Sequence, residues 1–138
     1  MDLRNSTVAV ATDDGTTVSS HFGRARFYEV LNFSNGKVTK RERREKAGHH
    51  SFGPAEHEHG EHNGEMHEQR HQTMVSPVTD CQAVIVRGMG QGAVEHLRRA
   101  YLTPVLTGLH TIDEVIEAVA ADSMDHDSRR IHQHHGEH

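Results

Sequence analysis

Histidine is the residue type in this sequence that is most able to do chemistry. The chain has 15 His in 138 residues, and counting along it places seven in residues 49–71 and five in residues 126–138. Neutral imidazole is the commonest protein ligand for zinc, nickel, copper and iron, and two imidazoles one helical turn apart can chelate one ion. The candidate metal ligands of the first tract are His49, His50, His67 and His71. The tracts predict either functional handling of metals such as nickel or zinc, or a solvated segment that binds metal only loosely.

Residues 67–71, H-E-Q-R-H, match the H-E-x-x-H motif of zinc proteases. Residues 49–71 contain seven His and five Glu, so a match of this kind is expected from local composition. A zinc-protease helix also needs an apolar side that packs into a core, and Met66 and Met74 supply almost all of the apolar surface here. The sequence therefore does not predict a protease.

His21 and Cys81 are the candidate ligands with the most distinctive positions outside the tracts. His21 lies in the stretch S-H-F-G-R-A, directly after the first predicted strand. Cys81 comes before the central predicted strand and is either a small apolar core residue or a thiolate ligand. Met89 follows that strand, and a strand of this length spans about 20 Å, so Cys81 and Met89 cannot bind the same ion.

Residues 88–92, G-M-G-Q-G, form a glycine turn that predicts either a different kind of site or a tight strand-to-helix connection without a ligand. Residues 83–86 predict a strand buried on both faces, and a helical pattern follows the turn. A strand, a glycine turn and a helix N-terminus present backbone N–H groups to an anionic ligand. Because parallel strands end at the same edge of a sheet, the loop around His21 is expected to meet this turn. The third glycine comes one place too early for the dinucleotide fingerprint G-x-G-x-x-G, so a dinucleotide site is not predicted.

The pattern of strands and helices predicts an α/β domain. Predicted strands cover residues 7–12, 27–33, 37–43, 83–86 and 103–107, and predicted helices cover residues 65–75, 93–101 and 112–119. Asn35-Gly36 is a strong hairpin signal between the second and third strands, and Thr111 with Glu114 forms a capping box. With the first, fourth and fifth strands parallel and the hairpin antiparallel, the sheet is a mixed five-stranded sheet with flanking helices.

The composition predicts where the ordered domain lies. Hydrophobic residues make up 33% of the chain and the mean hydropathy is −0.74, which is low for a compact domain. The deficit is concentrated in the histidine tracts. We predict a single α/β domain at residues 1–121, interrupted by a flexible His-rich insert at residues 48–72 and followed by a disordered His-rich tail at residues 122–138.

Charge and motif content exclude several classes of function. The net charge of −5 argues against a nucleic-acid-binding protein, which would have a basic face. A single cysteine excludes an internal disulfide, and no signal peptide or membrane-length apolar run is present, so we expect a cytoplasmic protein without membrane association. No acidic cluster or nucleophile–base pair indicates catalysis, so a non-enzymatic protein is expected. We expect a monomer or weak dimer.

Four motifs, taken in order, carry a resemblance to a known family. They are V-A-V-A-T-D-D-G, V-S-S-H-F-G-R-A-R-F-Y, D-C-Q-A-V-I-V-R-G-M-G-Q-G-A and T-P-V-L-T-G followed by a capped helix. Over residues 7–47 and 73–121 the chain resembles the dinitrogenase iron–molybdenum cofactor biosynthesis family. The resemblance implies a ribonuclease-H-like α/β fold and a small carrier or accessory protein. Such a protein holds an iron–sulfur or mixed molybdenum–iron cluster and exchanges it with a donor or acceptor protein.

The resemblance also implies which residues contact the cluster. His21 falls on the histidine of the family's H-F-G loop, and residues 88–90 fall on its glycine turn. An anionic sulfido cluster suits backbone N–H groups, a helix N-terminus, an arginine and an imidazole. The candidate cluster-binding residues are His21, Arg24, Gly88, Met89, Gly90 and Gly92. The histidine tracts depart from the family pattern, and they are candidates to recruit or buffer ions for this site.

Overall fold

The computed structural model describes residues 3–46 and 75–132. The strands in these residues are β1 (Thr7–Thr12), β2 (Phe27–Ser34), β3 (Lys37–Glu45), β4 (Ala83–Val86), β5 (Met89–Gly90), β6 (Thr103–Leu106) and β7 (Ile131–His132), and the helices are α1 (Gln91–Arg99) and α2 (Ile112–Ala120). Short 3-10 turns lie at Phe22–Arg24, Ser76–Val78 and Ser128–Arg130. Neither helix in this part of the chain is long and apolar enough to cross a membrane. The predicted insert falls outside the described residues, as does nearly all of the predicted helix at 65–75.

Five of the strands form one mixed sheet in the order β3-β2-β1-β4-β6. β2 pairs antiparallel with both β1 and β3, whereas β4 pairs parallel with both β1 and β6. The predicted α/β fold with a mixed five-stranded sheet is confirmed. Because β1, β4 and β6 run in the same direction, the loops that follow them leave the sheet at one common edge, which is where ligands bind in sheets of this kind.

The central strand β4 is buried on both faces, as its apolar sequence predicts. Val84 and Val86 belong to the core that includes residues of α1, and Ile85 belongs to the core that includes residues of α2. Strand residues alternate between the two faces, so one strand contributes to both cores. Burial of each such side chain stabilises the fold by about 1.5–3 kcal/mol, and β4 therefore holds both layers of helix in place.

The hairpin between β2 and β3 forms the far edge of the sheet. Asn35 and Gly36 have φ angles of 52° and 81°, as a tight hairpin turn requires, so the predicted turn is confirmed. The buried carboxylate of Glu29 in β2 accepts hydrogen bonds from Nε of Arg41 at 3.0 Å and from Nε of Arg43 at 3.2 Å. These charged side chains on β3 suit an edge strand, since they discourage pairing with another chain.

The two helices differ in how they begin. In α2 the hydroxyl of Thr111 accepts a hydrogen bond from the N–H of Glu114 at 3.1 Å, and the Glu114 carboxylate accepts one from the N–H of Thr111 at 3.0 Å. The predicted capping box is therefore confirmed. Helix α1 begins after Gly90 without a side-chain cap and without an acidic residue in its first turn. Its first N–H groups lack the side-chain acceptor that α2 has.

Residues 122–132 form an ordered segment, which differs from the disordered tail predicted from residue 122. Met124 is 1% exposed and packs in the core between the sheet and α2. His126 Nδ1 accepts a hydrogen bond from the N–H of Leu106 at 3.1 Å, and the N–H of Asp127 donates one to the Leu106 carbonyl at 2.8 Å. The chain then pairs as β7, parallel to β5. The polar composition of this segment does not reveal that it satisfies the backbone of the edge strand β6.

Candidate functional site

The loop after β1 and the turn after β4 are joined by backbone hydrogen bonds. We call residues 18–25 the His21 loop and keep the name glycine turn for residues 88–92. The N–H of Phe22 donates a hydrogen bond to the carbonyl of Gly88 at 2.9 Å, and the N–H of Arg87 donates one to the carbonyl of Ser19 at 2.9 Å. The structure thus brings together the two groups of residues that the sequence placed at one edge of the sheet.

The His21 loop holds its histidine in a defined backbone conformation. The hydroxyl of Ser19 donates a hydrogen bond to the carbonyl of His21 at 3.0 Å and accepts one from its N–H at 3.2 Å. The same carbonyl accepts hydrogen bonds from the N–H groups of Arg24 and Ala25, both at 3.1 Å. His21 and Arg24 are exposed, whereas Phe22 between them is 2% exposed. The loop is therefore anchored by Phe22 and presents an imidazole and a guanidinium at the surface.

Phe22 packs in the core between the sheet and α1, together with Met89 of the glycine turn. Its ring centroid is 6.3 Å from that of Tyr28, within the range of a favourable aromatic contact. The side chain of Met89 is 1% exposed. Met89 can therefore contribute its backbone to the site, but its thioether belongs to the core in this conformation.

Gly90 lies at the N-terminus of α1, with space above its Cα. Its φ of −74° is accessible to any residue, and an added Cβ would meet nothing within 4 Å. Gly23 in the His21 loop likewise has nothing within 4 Å of an added Cβ. Neither backbone strain nor the described neighbours require glycine at these two positions. The space is instead suited to a ligand that approaches the backbone closely.

Arg87, directly before the glycine turn, was not among the candidates selected from the sequence. It is half-buried, and its Nε is buried without a hydrogen-bond partner. A buried donor left without a partner costs about 1–3 kcal/mol. The signal was present in the sequence, since Arg87 lies within the motif V-R-G-M-G, but the type of residue alone does not show that its donor is unsatisfied.

Cys81 packs in the core of the domain. It is 5% exposed, and its thiol donates a hydrogen bond to the carboxylate of Asp80 at 3.7 Å. Burial, with a further contribution from the charge of Asp80, raises the pKa of the Cys81 thiol to about 12. The thiolate that a metal requires is therefore disfavoured at neutral pH. Cys81 also lies before β4, at the opposite end of the strand from the glycine turn, so it does not join the group of residues around His21.

The histidines differ in what the structure says about them. His49, His50, His67 and His71 lie outside the described residues. His126 is engaged with the backbone of Leu106, and His110 is an exposed loop residue before α2. Across residues 3–46 and 75–132, no three His, Cys, Asp or Glu side chains come together in a way that could hold a metal ion.

The donor groups at this edge therefore favour one type of ligand. The described residues of the His21 loop, of the glycine turn and of Arg87 comprise one imidazole, two guanidinium groups and the uncapped N-terminus of α1, and none of these residues is a carboxylate. A bare divalent cation would meet positive charge here, whereas an anion with metal atoms at its surface would meet N–H donors, cations and one imidazole ligand. The residues present fit an anionic metal–sulfur cluster.

Comparison with known proteins agrees with this fold. The sequence matches the family model described as dinitrogenase iron-molybdenum cofactor over residues 4–122. None of the curated proteins matches the chain. Among solved structures, the apo form of the orange protein from Desulfovibrio gigas has a TM-score of 0.61 at 15% identity, covering 93% of this chain and 97% of that one.

Two further solved structures have the same fold. The protein mj0327 from Methanocaldococcus jannaschii has a TM-score of 0.59 at 10% identity, covering 90% of this chain and 96% of that one. TM1290 from Thermotoga has a TM-score of 0.56 at 22% identity, covering 88% of this chain and 92% of that one. At these identities the likeness establishes the fold alone.

Proposed function

We propose, from the premise that this chain belongs to the dinitrogenase iron–molybdenum cofactor family, that it binds an iron–sulfur or molybdenum-containing cluster and transfers or stores it. The site is formed by the His21 loop and the glycine turn. The observation that carries the proposal is the hydrogen bond from the N–H of Phe22 to the carbonyl of Gly88, which fixes the imidazole loop beside the N-terminus of α1.

Each group in the site suits an anionic cluster. His21 offers an imidazole nitrogen as a ligand to an iron or molybdenum atom. The N-terminus of α1 attracts negative charge, typically by about 0.3–1 kcal/mol and by up to about 2 kcal/mol in partly buried geometries. Arg24 and Arg87 supply donors suited to sulfide or oxide atoms at the cluster surface. The open space at Gly90 admits the cluster closely, and Gly88 and Gly92 lie in the same turn.

A site with one side-chain metal ligand suits a cargo rather than a permanent cofactor. A cluster held through one imidazole and several hydrogen bonds can leave when an acceptor protein offers more ligands. We propose a non-enzymatic role, because the described residues at this edge contain no pair of nucleophile and base. The binding partners are then the cluster itself and a donor or acceptor protein.

Other features of the assignment rest on the family resemblance and on composition. We infer a ribonuclease-H-like class for the sheet, a cytoplasmic location and a monomer or weak dimer. We also infer that the histidine tracts recruit ions for the site. The alternative is a nickel or zinc buffer that acts through the histidine tracts. Deletion of residues 49–71 and 133–138 distinguishes the cluster carrier from this buffer. A cluster carrier keeps its sulfide-dependent absorption after the deletion, whereas a buffer loses nearly all bound metal.

The direct test is anaerobic reconstitution of the full chain with iron, sulfide and molybdate, followed by desalting and elemental analysis. We expect His21→Ala to retain about tenfold less cluster than the wild type, which corresponds to about 1.4 kcal/mol. His110→Ala is the matched control, because it removes an exposed histidine side chain of the loop before α2 that is not among the proposed cluster contacts. Equal cluster retention by His21→Ala and the wild type would overturn the role of His21.

A further inference from the structure

Lys46 is a buried lysine behind the candidate site. It follows the edge strand β3 directly and is 1% exposed. Its Nζ lies 4.9 Å from the centroid of the Phe22 ring, within the range of a cation–π contact. Burial of an ammonium group carries a large desolvation penalty, so a buried lysine is uncommon.

The ring that Lys46 contacts belongs to the residue that anchors the His21 loop. Phe22 follows His21 directly, and its N–H donates the hydrogen bond to Gly88. Phe22 is buried while His21 is exposed. The ammonium of Lys46 therefore lies on the core side of the loop whose outer side presents the imidazole.

Among residues 3–46 and 75–132, charged and titratable groups around Lys46 come from three elements. Burial lowers the pKa of Lys46 to about 8, although the charge of Asp13, in the turn after β1, favours the protonated amine. On the loop itself, His21 and Arg24 are exposed, and Tyr28 of β2 packs against the same phenylalanine. At neutral pH Lys46 therefore carries a positive charge that a modest rise in pH removes.

We propose that Lys46 is an electrostatic positioning residue for the anionic cluster: its buried ammonium supplies positive potential beneath the His21 loop, and loss of its proton weakens cluster binding. Lys46 acts in this way only if the site binds an anionic cluster, so this inference rests on the proposed function. The consequence is a pH-dependent affinity, with tight binding near neutral pH and release under mildly alkaline conditions.

The sign of the effect follows from linkage between proton and anion binding. A bound anion favours the protonated form of Lys46 and raises its pKa, and reciprocally the protonated form binds the anion more tightly. Affinity is therefore highest below the pKa of about 8 in the free protein and falls as the pH rises through it. A unit charge within about 10 Å of an anion, at an effective dielectric constant of about 20, changes affinity about five- to tenfold once screening by salt is included.

The test uses tetrathiomolybdate, a preformed sulfido-molybdenum dianion with strong visible absorption. Anaerobic equilibrium dialysis with the full chain measures its affinity from about pH 7 to about pH 9.5, a range that brackets the Lys46 pKa. We expect the wild-type affinity to fall about five- to tenfold across this range. Lys46→Arg stays charged and is expected to have a flat profile, and Lys46→Met is expected to bind weakly and with little pH dependence. Lys40→Met removes an exposed lysine of β3 and is the control for net charge.

A second measurement needs no variant. In protein labelled with 13C-lysine, the Cε shift of Lys46 reports its pKa, which we expect to rise when tetrathiomolybdate is added. Wild-type protein that binds the dianion with an unchanged Lys46 pKa, or Lys46→Met with the wild-type pH profile, would overturn the role of Lys46 and leave the site intact. If neither the dianion nor the reconstituted cluster binds in a way that depends on His21, the proposed function itself fails.

Discussion

The backbone N–H of Phe22 lies 2.9 Å from the carbonyl oxygen of Gly88, and this hydrogen bond joins the two loops that leave the parallel edge of the sheet. Both loops are also held by their side chains, since Phe22 and Met89 pack in the same core. The candidate site is therefore formed by two anchored loops, and the groups that would contact a ligand lie on positions whose backbone is already fixed.

Replacing two neighbouring residues of the His21 loop should change different properties, stability in one variant and ligand binding in the other. Phe22→Ala removes a buried aromatic side chain and should lower the free energy of unfolding by about 3–5 kcal/mol. His21→Ala removes an exposed side chain and should change it by less than about 0.5 kcal/mol, while cluster retention falls. Urea denaturation with anaerobic reconstitution measures both quantities. A large loss of stability in His21→Ala would mean that the imidazole has a structural role instead.

Gly90→Ala and Gly36→Ala form a second pair of variants whose effects on stability and binding should differ. Gly90→Ala should leave the free energy of unfolding within about 0.5 kcal/mol of the wild type, because the gain in backbone entropy offsets the weaker N-cap. It should nevertheless weaken cluster binding, since the methyl group occupies the open space at the helix N-terminus. Gly36→Ala should cost about 1–2 kcal/mol, because its φ is 81° and the new Cβ would lie 3.0 Å from Nε of Arg4. Cluster binding by Gly36→Ala should be unchanged, and equal binding by both variants would exclude close approach at Gly90.

The glycine turn and the sheet could be predicted because their signals are local. An apolar run followed by glycines predicts a buried strand and a turn, Asn35-Gly36 predicts a hairpin, and the order of elements then limits the sheet to few arrangements. The meeting of the His21 loop with the glycine turn followed from the shared direction of β1 and β4. These inferences need only the periodicity of side chains and the direction of the strands.

Lys46, Arg87 and His126 could not be predicted because their properties depend on tertiary neighbours. Lys46 closes a run of charged residues and looks exposed in the sequence, yet it is buried against Phe22. Arg87 has an ordinary residue type for a strand end, and only the folded structure shows that its Nε lacks a partner. His126 looks like part of a polar tail, whereas its acceptor nitrogen satisfies the N–H of Leu106 in an edge strand.

Replacing Arg87, whose Nε has no hydrogen-bond partner, should raise the stability of the protein and weaken ligand binding. Arg87→Met removes the buried Nε and should raise the free energy of unfolding of the ligand-free protein by about 1 kcal/mol. The same change should weaken tetrathiomolybdate binding severalfold, because a cation beside the glycine turn is lost. Arg98→Met, on the exposed side of α1, is the control and should change neither quantity. Lower stability together with unchanged binding in Arg87→Met would show that the guanidinium serves the fold.

The raised pKa of Cys81 predicts a loss of stability at alkaline pH. The pKa rises from 9.0 to about 12 because the thiol is buried beside the charge of Asp80. Its contribution to stability is fully present below about pH 9 and is lost as the pH rises toward 12, by at most about 1.4 kcal/mol per pH unit. Cys81→Ala has no thiol to ionise. The difference in free energy of unfolding between the wild type and Cys81→Ala, measured by urea denaturation, should therefore become smaller above about pH 9. Parallel pH profiles for the two proteins would contradict the assignment.

The hydrogen bond between His126 and Leu106 predicts how the ordered tail segment supports the site. His126→Leu leaves the Leu106 N–H without its acceptor and should cost about 1–3 kcal/mol, whereas His126→Asn keeps an acceptor near the same position and should cost less. Hydrogen exchange followed by NMR should show a faster-exchanging Leu106 amide in His126→Leu than in His126→Asn. Because this segment continues into β7, which pairs with Met89–Gly90, the loss of protection should extend to the amides of the glycine turn. Unchanged exchange at the glycine turn would show that β5 and β7 hold the turn independently of His126.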